Sequence, residues 1–284
     1  KVDGPAKRGT LVPLTGWIGS LFLFFFTVNC ITFIQIGISS MCKFMSLIRL
    51  IVLSLFIFTQ TQADTIYNLI KIPHLEIYDI KTPNKLRYLY AKQPFTIGVD
   101  NNINCYDSKK KDLDQKYEII QKHLNRYNQN FLKKINLKYI VLCEDLSISK
   151  INTAGIPDNI MKTLILDIKF NKNYFERVIH HEVFHIINDS FKDIFDEKIW
   201  SSFNGKEFEY AECSTCTDKL GLDTYINTKG FFSEYSQSTA SEDMAEVFSH
   251  LMIGVNLNNL DPILEKKINF IKTNLLKIDQ NFIL

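Results

Sequence analysis

A fold built from both strands and helices is predicted for residues 64–284, on three observations. Runs rich in β-branched and aromatic residues at 87–90, 95–99, 138–146 and 163–168 have the length and composition of strands. Apolar residues recur at helical spacing over 112–135, 239–255 and 261–278. Between the two sets lies residues 177–188, an apolar helical stretch interrupted by His180, His181, Glu182 and His185.

Taken in order, the chain opens on two apolar segments. Residues 17–40 are uncharged and long enough to cross a bilayer. Residues 41–63 have the order of a secretory signal peptide: Lys43 and Arg49, then an apolar run at 50–58, then Thr61-Gln62-Ala63 before Asp64. Translation is expected to begin at Met41 or Met45, with residues 1–40 outside the mature protein and cleavage after Ala63. The rival is a membrane anchor at 17–40, the only membrane contact expected. Either route takes the protein out of the cytosol, to a secreted or periplasmic location or to a membrane-anchored one.

Residues 64–110 read as extended and turn-rich, with Lys92-Gln93-Pro94 separating two short strands. Leu113, Tyr117, Ile120, Leu124, Tyr127 and Leu132 predict one long amphipathic helix over 112–135. Two buried strands follow at 138–146 and 163–168, with Gly155-Ile156-Pro157-Asp158 between them as a turn. The second strand could offer its edge to an extended peptide. Asn171 or Asn173 is expected to cap the next helix. Residues 200–230 are irregular, and no internal repeat is present.

His181, Glu182 and His185 form H-E-x-x-H. Residues four apart share a helix face, so both imidazoles can reach one zinc ion, while Glu182 is rotated about 100° from His181 and can reach a water there. A core helix that merely happens to hold these residues is the plainer reading. It is weak, because a glutamate in so apolar a run is costly to bury without a partner. His180 cannot share the face of His185 and is expected to pack, or to donate from behind the ligands.

A catalytic zinc needs a third protein ligand and one open position. The best supplier is residues 241–248, where Glu242 and Glu246 share a helix face. One would bind the metal and the other hydrogen-bond a ligand histidine. Glu242 could instead complete a capping box with Thr239, and Glu246 and His250 compete as ligands.

Four cysteines remain after the expected cleavage, an even number that suits an oxidising compartment. A Cys105 to Cys143 disulfide is favoured. Cys213 and Cys216, in a polar loop without the strand-to-helix setting of a redox motif, are expected to clasp that loop. A formal net charge of +2 is too small for a nucleic-acid footprint, and the one tight basic run, 109–111, sits among Asp107, Asp112 and Asp114.

Trp200-Ser201-Ser202-Phe203-Asn204 with Phe208 and Tyr210, then Gly230-Phe231-Phe232-Ser233-Glu234-Tyr235, then residues 241–248 resemble the zinc-binding metallopeptidases of the gluzincin group. More distantly they are similar to the catalytic domain of anthrax lethal factor. The likeness spans roughly residues 110–255 and rests mainly on the H-E-x-x-H helix and the tyrosine-to-glutamate segment. It implies an α+β zincin, a small mixed sheet packed on the metal-binding helix and C-terminal helices, with Zn2+ on His181, His185 and Glu242. It also implies that Tyr235 faces the substrate carbonyl. The loop 213–223 departs from the family pattern, so the rim of the cleft does not follow from the likeness.

The resulting expectation is a monomeric zinc endopeptidase acting on peptides or proteins, with Glu182 as general base and Tyr235 beside the oxyanion. Its competitor is a zinc-stabilised binding or toxin-like module without turnover, against which the retained Glu182 argues. A metal-free cell-surface domain is the third reading.

Overall fold

Residues 139–143 are apolar at every position because the strand they open is buried on both faces. The computed structural model describes residues 72–158, 160–258 and 260–284, so the signal peptide and anchor expected before residue 64 lie outside the described residues. The strands are β1 Leu75–Asp79, β2 Arg87–Ala91, β3 Phe95–Ile97, β4 Ile103–Tyr106, β5 Tyr139–Ile148, β6 Ile151–Asn152, β7 Gly155–Asp158 and β8 Thr163–Asp167. The α-helices are α1 Lys110–Leu124, α2 Gln129–Lys134, α3 Phe175–Ser190, α4 Glu197–Ser201, α5 Ala240–Met252 and α6 Pro262–Ile278.

One mixed sheet organises them. β2 and β8 pair in parallel with the same stretch of β5 and so lie on its two sides, while β1 and β7 add antiparallel at the outer flanks. The far half of β5 pairs with β4, which is hairpinned to β3, and with β6. Alternation along the strands splits the core in two. Tyr88, Ile140, Leu142, Leu164 and Leu166 face the helices, and Leu89, Val141, Cys143 and Ile165 face a smaller cluster with Ile72, Phe95 and Cys105. Within that cluster Cys105 and Cys143 form the favoured disulfide, their Cα atoms 5.9 Å apart. Closing a separation of 38 residues restricts the unfolded chain by about 4 kcal/mol in the chain-entropy model.

Four sequence expectations change. The single helix over 112–135 is two, α1 and α2, because Asn128 turns extended and its side chain caps α2 by accepting from Phe131 N at 2.9 Å. Tyr127 at the break is buried in its own right, so the apolar spacing runs on through it. Residues 155–158 are a strand, not a turn. Gly and Pro are tolerated there because β7 pairs only with β8 among the described residues, and an edge strand needs no donor on its outer side. It follows that β8 is an inner strand and β7 the edge. Finally, α3 has Tyr174 at its N-cap with no side-chain bond, and Asn171 Oδ1 accepts instead from Asn173 N at 3.0 Å, before the helix begins.

α3 is buried along most of its length and packs on α1, β7 and α5. The irregular stretch after α4 is tied down from beneath. Lys267 of α6 is fully buried and donates to Asp243 Oδ2 at 2.6 Å and to Gly230 O at 2.8 Å, with Phe231 3.9 Å from its Nζ. The same Asp243 oxygen accepts from Trp200 Nε1 at 2.9 Å and from the Tyr210 hydroxyl at 2.6 Å. Burial alone pushes Asp243 up and Lys267 down, and each is partly held back by the other. Lys267→Met leaves Asp243 buried without its cation and is expected to cost about 3 to 5 kcal/mol in denaturant unfolding. A loss below about 1 kcal/mol, the scale of an exposed pair, would show that the pair does not anchor the loop. Among the described residues no helix is long and apolar enough to cross a membrane.

Candidate metal centre

Helical geometry sets the first two donors. His181 and His185, one turn apart on α3, turn their Nε2 atoms to within 3.1 Å of each other. The third comes from α5, whose first turn is fixed by Thr239: its hydroxyl accepts from Glu242 N at 3.2 Å. With its backbone N–H used by that cap, the Glu242 carboxylate is free to face α3. Glu242 Oε2 lies 2.9 Å from His181 Nε2 and 3.2 Å from His185 Nε2. Only the Thr239 half of the capping box forms, and the Glu242 carboxylate faces the histidines instead of closing the box.

These side chains form the one group among the described residues whose donor atoms could close on a metal, all within 4.8 Å of one another. The edges of the triangle suit a tetrahedral zinc, which with bonds of about 2.0 to 2.1 Å separates its ligand atoms by about 3.3 Å. Two imidazoles and a carboxylate are also the donor types zinc takes.

The outer nitrogens are committed elsewhere, which orients each ring. His181 Nδ1 is 3.0 Å from Glu246 Oε1, and His185 Nδ1 is 3.3 Å from Ser241 Oγ, which in turn accepts from Asn188 Nδ2 at 3.4 Å. Glu246 is wholly buried and also accepts from Arg177 and, at 2.6 Å, from Ser233 Oγ. The second Arg177 nitrogen donates to Leu222 O at 2.6 Å, joining the irregular loop to the same carboxylate. Burial would raise Glu246, but the bond from His181 and the Arg177 charge bring it down to about 2. Burial would likewise lower His181, and its bonds to Glu242 and Glu246 instead push it up to about 10. That is the mark of a histidine held between two carboxylates.

Glu182 is buried beside this triangle and accepts no hydrogen bond from any described residue. Burial pushes its carboxyl up, against the opposing pull of His181 and His185. Tyr235 opens a short 3-10 turn, Tyr235–Gln237, with its ring centroid 5.9 Å from that of His181. Burial, with the charges of Glu242 and Glu182 next, raises its hydroxyl, so it stays a donor.

Two sequence candidates lie apart from the triangle. His250 stacks on Phe232 at 4.5 Å, with Nδ1 2.8 Å from Glu246 O and Nε2 3.0 Å from the Thr224 hydroxyl. His180 turns the other way, 2.6 Å from the Tyr127 hydroxyl and 2.8 Å from His123 Nδ1. It packs α3 onto α1. Cys213 and Cys216 are joined as the loop clasp, Cα atoms 5.1 Å apart. Sequence reasoning missed Arg177, Ser233 and Ser241. Ser241 adjoins a candidate ligand, which was a usable signal, whereas nothing local marks Ser233.

Residues 115–275, more than half of the 284, match the model of a family described as "Putative zinc-binding metallo-peptidase". No curated protein and no solved structure matches the chain.

Proposed function

The chain belongs to that family of zinc-binding metallopeptidases, and from this premise we propose an exported endopeptidase of the gluzincin type, with zinc held by His181, His185 and Glu242. The observation that carries the reading is the meeting of two histidine Nε2 atoms and one carboxylate oxygen, with a buried and unbonded Glu182 next to them. The two disulfides support export to an oxidising compartment.

Zinc, when bound, would supply Lewis acidity, polarising a carbonyl and lowering the pKa of water toward about 7 so that it gives up a proton readily. The chain's own residues do the rest. Glu246 and Ser241 hold the imidazoles so that each presents Nε2. Glu182 takes the proton of the attacking water and passes it to the leaving amine, roles suited to a carboxyl that burial has made more basic. Tyr235 donates to the carbonyl oxygen as charge develops there. An extended peptide would lie along the outer edge of β7, which adjoins Glu182.

The test is cleavage of a peptide library by the purified protein, read by mass spectrometry with zinc quantified in the same samples. Cleavage at internal bonds, lost on chelation and restored by zinc, is expected. Stoichiometric zinc with no cleavage of any peptide would favour a binding module instead, and loss of one or two residues from peptide ends alone would replace endopeptidase by exopeptidase.

A further inference from the structure

We propose that Gly155 is the residue that positions Glu182, and that its missing side chain is what lets the base stand where it does. This rests on the assignment of Glu182 as the base. The carboxylate of Glu182 accepts no hydrogen bond from any described residue, so packing sets its place. The packing partner is the backbone of β7. A Cβ added at Gly155 would fall 2.6 Å from Glu182 Cγ, 2.9 Å from Glu182 Cδ and 3.1 Å from Ile165 O. The backbone there is not in the left-handed region, so a glycine is required by space and not by conformation.

The two neighbours of that Cβ differ in stiffness. Ile165 O belongs to β8, an inner strand laddered to β5 on one side and β7 on the other. Glu182 is a side chain with free torsions and no hydrogen bond to oppose a shift. An added methyl is therefore relieved mainly at Glu182, which must move by about 0.8 Å to recover ordinary contact at 3.4 Å. Displacement of a reacting group by about 1 Å can cost about 100-fold in rate. The clash is relieved by displacing a buried side chain, so a thermal penalty that depends on Glu182 should accompany the loss of rate.

In Gly155→Ala, kcat is expected to fall by about 10 to 100-fold, with KM and zinc content unchanged. A merely distorted strand would raise KM, since β7 is also the proposed peptide edge. A second measurement needs no turnover. Thermal midpoints of Gly155→Ala are compared in the native background and in Glu182→Ala, which removes Cγ and Cδ. The penalty should shrink when Glu182 is truncated, because only the 3.1 Å approach to Ile165 O then remains. Wild-type kcat in Gly155→Ala, or an equal thermal penalty in both backgrounds, would overturn the proposal. Normal turnover in a Glu182 variant would instead remove the base assignment, while the thermal comparison would still report whether Gly155 and Glu182 collide.

Discussion

Glu182→Gln is expected to lower kcat by about 10² to 10⁴-fold, roughly 3 to 5 kcal/mol of transition-state stabilisation, while zinc content and thermal midpoint stay as in the native protein. The amide fills the same space under Gly155 but cannot take a proton. Its neighbours His181, His185 and Glu242 lose only a nearby charge. Tyr235→Phe should show a smaller fall, in kcat more than in KM, because its hydrogen bond strengthens only as charge develops on the substrate oxygen. Both variants are measured on one cleavable peptide with zinc assayed alongside. Near-native turnover in Glu182→Gln would mean that hydrolysis arises elsewhere, and the peptidase assignment would be withdrawn.

Glu242→Ala is expected to leave no stoichiometric zinc after dialysis, because it deletes one of three donors whose atoms lie within 4.8 Å. Glu246→Ala removes a partner of His181 and not a donor of the triangle. Zinc should remain bound with affinity or activity lower by about 10 to 100-fold. It also strips Arg177 and Ser233 of their shared acceptor, so some of that loss will appear as stability. If the Glu246 variant loses zinc and the Glu242 variant keeps it, the two roles are exchanged.

What could be read in the sequence was what depends on local periodicity. The strands at β2, β5 and β8, the helices α3, α5 and α6, and the juxtaposition of His181 with His185 all follow from spacing along one element. Long-range partners were harder. That Glu242 meets both histidines while His250 does not depends on how α5 crosses α3, which the face shared by Glu242, Glu246 and His250 leaves open. β7 was misread because Gly155 and Pro157 are turn formers locally, and only the pairing with β8 makes them a strand. Gly155 shows the limit most plainly. A glycine in a sequence says that a side chain is absent, and only the fold reveals that Glu182 occupies the space.

The proline of that strand has its own consequence for solubility. Asp167 N donates to Ala154 O at 2.9 Å, so in the antiparallel register Ile156 and Asp158 also turn their main chain toward β8. Gly155 and Pro157 are left facing outward. An exposed strand edge is a template for aggregation, since another copy can dock there and extend the sheet. Pro157 blocks such growth by offering a carbonyl and no N–H, so two β7 strands from different molecules cannot complete a ladder. A short visiting chain needs less. It can use the C=O of Pro157, where the strand is half-exposed, whereas Gly155 is buried and its C=O already accepts from the Thr153 hydroxyl at 3.1 Å, so a transient guest finds a foothold where a growing sheet does not.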